Sequence, residues 1–304
     1  MGRLLRRLRD VAATVPPVPG TGRESSSNLP HPGQHRPCCT AYPRGAQPII
    51  GGMTTTEIPV LNGRRALVTG ASRGIGRALV VALAATGADV LAVARGEDGL
   101  QETAALATGP GRVSVLAADL RDPDSIDEVV ARAVAELGGL DILVNNAATH
   151  LNGRIEDLPL EDYQQIVDLG LRSAWLLCKA ASPLLGEGAS VINVGSVCSL
   201  VAMHGETAYV ATKHALLGVT RALALEWARR GVRVNALAPG WVETEMNQAV
   251  LQDADAMTWV RRNTPMGRWA STEEMAGPVV FLASDASSYM TGQVLVVDGG
   301  WTAR

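Results

Sequence analysis

The sequence lacks the features that mark a membrane protein, a metal protein or a small disulfide-stabilised protein. It contains no run of about eighteen apolar residues, which argues against a membrane-spanning helix. Its four cysteines form no C-x-x-C pair, and no histidine stands at metal-ligand spacing from them. The pair Cys38 and Cys39 lies in a proline-rich stretch and suggests no disulfide framework. We therefore expect a cytoplasmic protein without a metal.

Positive charge is scarce over most of the chain. The net charge of −3 combines +5 over residues 1–52, where seven arginines face two acidic residues, with −8 over the remainder. Lysine occurs only at Lys179 and Lys213. A folded part this acidic lacks the basic surface that nucleic-acid binding requires, so we expect neither a nucleic-acid nor a membrane partner.

Residues 1–52 differ in composition from the rest of the chain. Pro, Gly, Ser and Arg interrupt them without sustained periodicity, which predicts a disordered extension. Pro16, Pro17 and Pro19 break the apolar stretch that a signal peptide would need. The arginine-rich, acid-poor character also resembles a transit peptide; the alternative is that Met53 is the natural start and the preceding segment is dispensable. We predict one folded domain over residues 53–304.

From Arg65 onward, short apolar runs alternate with longer amphipathic stretches such as Ile75–Thr86 and Pro123–Leu137. Apolar strands separated by crossover helices predict a parallel sheet covered on both faces. The prediction is therefore an α/β, Rossmann-like, doubly wound fold with a seven-stranded parallel sheet in a single domain. The predicted strands are Ala66–Thr69, Asp89–Ala94, Val113–Ala117, Asp141–Asn145, Ser190–Val194, Val232–Ala236 and Val294–Val297.

A glycine-rich turn directly follows the first predicted strand. It reads Thr69-Gly70-Ala71-Ser72-Arg73-Gly74-Ile75-Gly76. Glycines at three positions permit a tight turn, close approach of the backbone to a pyrophosphate, and close packing of helix against strand. The helix N-terminus then offers free N–H groups to phosphate. The turn predicts a dinucleotide site.

The end of the second predicted strand indicates which dinucleotide binds. A protein that selects NAD often places an acidic residue there, whereas this chain has Ala94-Arg95. Arg95, with Arg73 in the turn, could hold a 2′-phosphate; the alternative is two solvated surface arginines. NADP(H) is therefore the preferred cofactor, and NAD(H) is the second choice.

Further motifs resemble those of the single-domain short-chain dehydrogenase/reductases over about residues 61–304. The resemblance implies an oxidoreductase that interconverts a secondary alcohol and a ketone. It also implies a homotetramer, with a dimer as the alternative, because Asp298-Gly299-Gly300 resembles a segment of the family at a subunit contact. The motifs are the glycine turn, Asp119-Leu120, Asn145-Asn146-Ala147, Ser196, Tyr209-x-x-x-Lys213 and Pro239-Gly240.

The spacing of Tyr209 and Lys213 fits proton transfer. Residues four apart share a helix face, so both side chains can point to one site. A phenol ordinarily titrates near ~10, and a nearby ammonium is expected to lower that pKa. The resemblance implies that Tyr209 exchanges a proton with the substrate oxygen, that Lys213 also holds the nicotinamide ribose, and that Ser196 polarises the substrate oxygen.

The resemblance also assigns further cofactor contacts. Asp119 and Leu120 correspond to the pair near adenine, and Asn146 to the residue that packs on the cofactor. Val242 and Thr244 correspond to contacts on the carboxamide side of the nicotinamide. Each of these residues is equally consistent with ordinary turn chemistry.

Two positions depart from the family pattern. Ala148 stands where the family usually has glycine. Gly170 stands where the family has a catalytic asparagine that holds a water on the path from Lys213 to solvent. An ordered water or Arg172 could substitute, or proton relay is slowed. Gly170→Asn is therefore expected to raise turnover.

Substrate contacts are expected in the loop after Ser196, in the stretch after Asn146 and over residues 241–269. The candidates are His150, Cys198, His204, Trp241 and Met246. The end of the chain resembles gluconate and deoxygluconate dehydrogenases and also acyl-carrier-protein ketoreductases, so a polyol, a sugar acid or a 3-oxoacyl compound is expected. Two alternatives are a dinucleotide-binding sensor with a relict active site, suggested by Gly170, and an enoyl reductase, disfavoured by the short gap between Tyr209 and Lys213.

Overall fold

The computed structural model describes residues 60–303. The predicted disordered extension over residues 1–52, the alternative start at Met53 and the resemblance to a transit peptide all fall outside these described residues. The described part forms one sheet of parallel strands in the order β3-β2-β1-β4-β5-β6-β7. The strands are β1 (Arg65–Thr69), β2 (Asp89–Ala94), β3 (Val113–Ala117), β4 (Ile142–Asn145), β5 (Ser190–Val194), β6 (Arg233–Pro239) and β7 (Val294–Val297).

Helices connect the strands and cover both faces of the sheet. A π-helical segment, Asp168–Arg172, joins two of them, and a 3-10 turn, Val197–Ser199, follows β5. The α-helices are α1 (Gly74–Ala85), α2 (Glu97–Leu106), α3 (Asp124–Leu137), α4 (Leu160–Val167), α5 (Ser173–Ala181), α6 (Thr207–Trp227), α7 (Gln248–Gln252), α8 (Ala254–Asn263) and α9 (Ala276–Ala283).

The alternation of side chains along each strand divides the core into two layers. In β1, Ala66 and Val68 pack into the layer under α1 and α9. Leu67, between them, packs into the opposite layer under α3 and α5. Because both faces are covered, the central strands are mostly apolar, which is why their sequences read as short apolar runs.

After β1, the chain places β2 and then β3 to one side of β1 within the sheet. It then crosses back and places β4 on the other side of β1. The carboxyl ends of β1 and β4 therefore flank a switch point, where open parallel sheets bind ligands. The predicted fold class and number of strands are confirmed. The strand bounds differ mainly at β6, which continues to Pro239 because it stays paired with β7 as far as Val297.

Within residues 60–303, no helix combines the length and apolar character needed to cross a bilayer. The same residues contain no group of three or more His, Cys, Asp or Glu side chains arranged to hold a metal ion.

Candidate active site

The turn between β1 and α1 is too tight for a side chain at two of its glycines. Gly70 has a φ of 63°, in the left-handed region that favours glycine. A Cβ on Gly76 would lie 2.1 Å from the carbonyl oxygen of Gly70. The first turn of α1 contains no acidic residue, and no side chain caps it. Its free N–H groups therefore form a cradle for an anion at the switch point, and this cradle fits a pyrophosphate.

Asn146 holds this turn from the neighbouring strand. Its Nδ2 donates to the carbonyl oxygens of Thr69 at 2.9 Å and Gly70 at 3.1 Å. In return, Thr69 Oγ1 accepts the backbone N–H of Asn146 at 3.0 Å and that of Ala147 at 3.1 Å. The side-chain amide predicted to pack on the cofactor thus donates its hydrogens to the turn. It would influence a bound dinucleotide by fixing the shape of the cradle.

Positive charge borders the cradle on the β2 side. Arg73, in the turn, and Arg95, directly after β2, are both exposed. Neither forms an ion pair within the described part of the chain. The nearby Asp119 is paired with Arg121 at 2.6 Å, and this hydrogen bond lowers the pKa of Asp119. The negative charge of Asp119 is thereby compensated. The region around Arg73 and Arg95 therefore suits a phosphate group in addition to the pyrophosphate.

The remaining predicted positions of the cofactor side lie in or next to the same crevice. Leu120 is buried, as its place in the apolar layer under α3 requires. Ser72 is half-buried, and its carbonyl oxygen accepts a hydrogen bond from Arg77 at 2.6 Å. Ile75, Val242 and Thr244 line the cavity described below.

Three predicted catalytic side chains meet beyond the carboxyl end of β5. Ser196 begins the 3-10 turn, where its Oγ accepts the backbone N–H of Cys198 at 3.1 Å. Tyr209, in the first turn of α6, forms a hydrogen bond with Ser196. Lys213 is buried one turn further along, with its Nζ 5.6 Å from the centroid of the Tyr209 ring and donating to the carbonyl oxygen of Val194 at 2.8 Å. The helical spacing thus brings the phenol and the amine to one side of α6.

The electrostatics of Tyr209 differ from the sequence-based expectation, which was wrong on this point. Burial raises the pKa of Tyr209 above its ordinary value, whereas the hydrogen bond with Ser196 opposes the rise. The carboxylate of Glu206 and, at high pH, the thiolate of Cys198 add to it. Burial also lowers the pKa of Lys213 to about 8. Lys213 is not among the groups that shift the pKa of Tyr209, and its amine donates to Val194 at 5.6 Å from the centroid of the phenol ring. The phenol is therefore protonated at neutral pH and suited to donating a proton.

A cavity of about 100 Å³ opens beside Ser196 and Tyr209. Of the predicted substrate contacts, His150, Cys198, Trp241 and Met246 line it. Burial raises the pKa of Cys198 to about 11, so its thiol is neutral. His204 is exposed and is not among the residues that line the cavity, so its position does not support the predicted substrate contact.

Glu206 is a residue of this cavity that the sequence analysis missed. It lies at the start of α6 without capping that helix, and its Oε2 is 2.7 Å from Nε2 of His150. The His150 ring in turn packs edge-on against the Tyr209 ring, with centroids 4.9 Å apart. The sequence feature that could have identified Glu206 is its position three residues before Tyr209, since residues three apart are neighbours on a helix.

Comparisons with known proteins agree with this site. Residues 70–302 match the family model described as Enoyl-(Acyl carrier protein) reductase. The chain is 36% identical over 254 residues to the gluconate 5-dehydrogenase of Gluconobacter oxydans, an alignment that covers 82% of this chain and 99% of that protein. It is 39% identical over 240 residues to the 3-oxoacyl-[acyl-carrier-protein] reductase of Escherichia coli, covering 78% and 97%.

Solved structures give the same result. A short-chain type dehydrogenase/reductase from Mycobacterium marinum superposes with a TM-score of 0.76 at 35% identity, covering 81% of this chain and 98% of that chain. The chain belongs to the short-chain dehydrogenase/reductase family. A blue fluorescent protein from a metagenomic library, solved in complex with NADPH, superposes with a TM-score of 0.75 at 35% identity, covering 79% and 98%. The protein is accordingly an oxidoreductase with the fold and the catalytic motifs of this family.

The departure from the family at Gly170 lies inside the π-helical segment. Gly170 is buried, and a Cβ there would lie 2.9 Å from the Thr212 methyl group. Thr212 Oγ1 is buried without a hydrogen-bond partner among the described residues. Arg172 pairs with Asp168 at 2.8 Å and donates to the carbonyl oxygen of Arg121 at 2.7 Å, so it does not replace the missing asparagine as suggested. The space beside Gly170 is filled by the Thr212 methyl group.

Proposed function

We propose that the protein is an NADP(H)-dependent oxidoreductase that interconverts a secondary alcohol and a ketone. The observation that carries this proposal is the placement of Ser196, Tyr209 and Lys213 beside the glycine cradle, at the switch point of the sheet. A bound NADPH would supply hydride to the carbonyl carbon. The catalytic side chains have to supply the proton and stabilise the oxygen.

The proton is assigned to Tyr209. The carbonyl oxygen accepts hydrogen bonds from Ser196 and Tyr209 and takes the Tyr209 proton as its carbon is reduced, so that one hydride and one proton together give the alcohol. The raised pKa of Tyr209 supports this direction, because a protonated phenol can donate. In the oxidation of the alcohol, Tyr209 would have to act as a phenolate, which favours a more alkaline optimum for that direction.

NADP(H) is the cofactor that the arginines favour. Arg73 and Arg95 lie exposed at the border of the cradle, and the nearby Asp119 is compensated by Arg121. The structure of the blue fluorescent protein with NADPH supports the same choice. The experiment that tests the function follows NADPH oxidation at 340 nm with keto sugar acids, ketopolyols and 3-oxoacyl thioesters, and repeats each assay with NADH. Reduction of any of these ketones supports the proposal, and a faster rate with NADH would contradict the cofactor assignment.

A second candidate function is a dinucleotide-binding sensor with a relict active site. The observation in its favour is Gly170, because the family's asparagine is missing and the Thr212 methyl group occupies the space beside it. Titration of NADPH by fluorescence separates the two functions when it is combined with the turnover assay. Tight binding without reduction of any ketone would favour the sensor. Reduction of an enoyl thioester but of no ketone would instead favour the activity that the matched family model names.

The proposal also covers the extent of the catalytic domain, its location in the cell and its oligomeric state. We place the catalytic domain at residues 53–304, in the cytoplasm, with a small alcohol or ketone as its partner. Association into a homotetramer is expected because Asp298-Gly299-Gly300 resembles a segment of the family at a subunit contact. Light scattering coupled to gel filtration measures this state, and a mass of four chains is expected, whereas a monomer would contradict it.

A further inference from the structure

The cavity beside Tyr209 contains one polar pair that the proton-transfer chemistry does not use. His150 comes from the stretch after β4, and Glu206 comes from the start of α6, 56 residues later. Their side chains are only 22% and 12% exposed, and they meet at 2.7 Å. A carboxylate withdrawn from water to this extent is costly unless a partner compensates it, so a purely apolar substrate would be poorly matched to this wall.

Stability of the helix does not explain Glu206. The side chains that ordinarily cap a helix at this position are those of Asn, Asp, Ser and Thr, and Glu206 makes no capping hydrogen bond. Its Oε2 faces His150, and no other group within residues 60–303 hydrogen-bonds to this carboxylate. On the His150 ring, the only hydrogen bond formed with the described residues is the one at Nε2. One carboxylate oxygen and one ring nitrogen therefore remain for a ligand.

The position of the pair specifies where on a ligand they would act. The His150 ring packs on the Tyr209 ring at a centroid distance of 4.9 Å, and both His150 and Glu206 line the cavity that contains Ser196. A substrate oxygen held by Ser196 and Tyr209 would place the neighbouring carbon of the substrate beside the pair. A group on that carbon would meet an acceptor and a nitrogen that either donates or accepts, according to its tautomer.

We propose that His150 and Glu206 select substrates that carry a hydroxyl group on the carbon next to the reacting carbon. A hydroxyl both donates and accepts a hydrogen bond, so it matches the pair, whereas the CH₂ group of a 3-oxoacyl chain would leave the pair unsatisfied. This inference rests on the proposed function and narrows it to polyhydroxylated ketones and alcohols, such as keto sugar acids. The cavity wall of Trp241 and Met246 would contact the carbon skeleton.

A pair of ketones that differ by one hydroxyl tests the inference. NADPH-dependent reduction of 3-hydroxybutan-2-one and butan-2-one is measured with wild-type enzyme, His150→Phe and His204→Phe. His150→Phe keeps a ring against Tyr209 but removes both nitrogens, and the exposed His204 provides the matched control. Wild-type kcat/KM is expected to favour the hydroxyketone by at least about 100-fold, because a site built to bind a hydroxyl rejects the analogue without it.

The expected result for His150→Phe is a fall of about 10- to 100-fold in the ratio of kcat/KM for the hydroxyketone to kcat/KM for butan-2-one. Glu206→Gln should shift the same ratio in the same direction, and His204→Phe should leave it unchanged. Equal losses on both ketones would overturn the inference, because they would indicate a merely structural pair. A wild-type ratio near one would overturn it as well.

A binding arm separates this inference from the proposed function. If wild-type enzyme reduced neither of these two ketones nor any ketone of the broader panel, the proposed function would fail, but butane-2,3-diol and butan-2-ol could still be compared on the NADP⁺-loaded enzyme by ligand-observed NMR. Stronger binding of the diol, lost in His150→Phe and kept in His204→Phe, would support the pair as a hydroxyl site. Equal binding of diol and mono-alcohol would refute it.

Discussion

The cofactor side and the substrate side of the site are built in different ways. On the cofactor side, backbone groups form the cradle, and the residues that shape it, Gly70 and Gly76, lie six positions apart in one turn. On the substrate side, side chains form the wall, and His150 and Glu206 meet from distant parts of the chain. A site formed by the backbone of one short segment can be recognised in the sequence, whereas a site formed by side chains from distant segments can be recognised only in the folded structure.

The largest effect on activity is expected from a change at Tyr209, which lies between the cofactor side and the substrate side. Tyr209→Phe keeps the ring that packs on His150 but removes the proton donor, so kcat for ketone reduction should fall by about 10²- to 10⁴-fold. NADPH affinity, measured by fluorescence titration, should change little. Tyr163→Phe on α4, where the tyrosine is 46% exposed, is the matched control and should retain full activity. Full activity of Tyr209→Phe would refute the assignment.

The next effect concerns the cradle alone. A Cβ at position 76 would lie 2.1 Å from a backbone oxygen that cannot move aside without disturbing β1. Gly76→Ala should therefore destabilise the domain by about 1–3 kcal/mol and weaken NADPH binding at least tenfold. Gly186→Ala, at an exposed glycine with nothing within 4 Å of the added Cβ, is the control and should change neither quantity. Denaturant unfolding and cofactor titration measure both. Equal stability and equal NADPH affinity of the two variants would show that the tight turn is not required for folding or for cofactor binding.

A smaller effect is expected from the charges at the border of the cradle. Arg95→Ala should lower kcat/KM with NADPH by about tenfold, because a hydrogen bond to a charged group contributes about 1.5–3 kcal/mol. The value with NADH should remain nearly constant, since NADH lacks the 2′-phosphate. Arg112→Ala, at an arginine that pairs with Asp89 at the other end of β2, serves as the control. A parallel fall with both cofactors would argue for a structural role of Arg95.

The smallest effect concerns the departure at Gly170. Gly170→Asn alone forces a side chain against the Thr212 methyl group at 2.9 Å, so the gain in helix propensity over glycine, roughly 0.3 kcal/mol, is offset by the clash. The double variant Gly170→Asn with Thr212→Ser removes the methyl group and should raise turnover a few-fold relative to Thr212→Ser alone. Steady-state kinetics of the four proteins measure the coupling. Unchanged turnover in the double variant would show that proton transfer from Lys213 to solvent does not depend on an asparagine at position 170.

Much of the fold was predictable because it depends on local pattern. The apolar runs of β1, β2, β3, β5 and β7 marked those strands to within a residue, since the strands of a parallel sheet covered by helices are mostly apolar. The predicted β6 ended at Ala236, three residues before the end at Pro239 that the structure shows. This proline lies at the last position of the strand, where the loss of one N–H donor is tolerated.

The chemistry of the site was only partly predictable. The spacing of Tyr209 and Lys213 correctly brought them to one side of a helix, but it carried no information on burial, which raises the pKa of the phenol. The bond between Glu206 and His150 depends on how the segment after β4 passes the start of α6. The engagement of Arg172 with Asp168 and Arg121 likewise depends on the π-helical turn. These features follow from the assembled fold and not from local pattern.

The protonation state of Tyr209 is the most direct test of this account. The absorbance of phenolate near 295 nm is followed from pH 6 to pH 11 in wild-type protein and in Tyr209→Phe, and the difference isolates this one tyrosine from the other three in the chain. Because burial raises its pKa, the account predicts no difference signal below about pH 10, the ordinary value for a phenol. Half-ionisation of Tyr209 between pH 7 and pH 8 would contradict the account, since the group would then be a base rather than the proton donor.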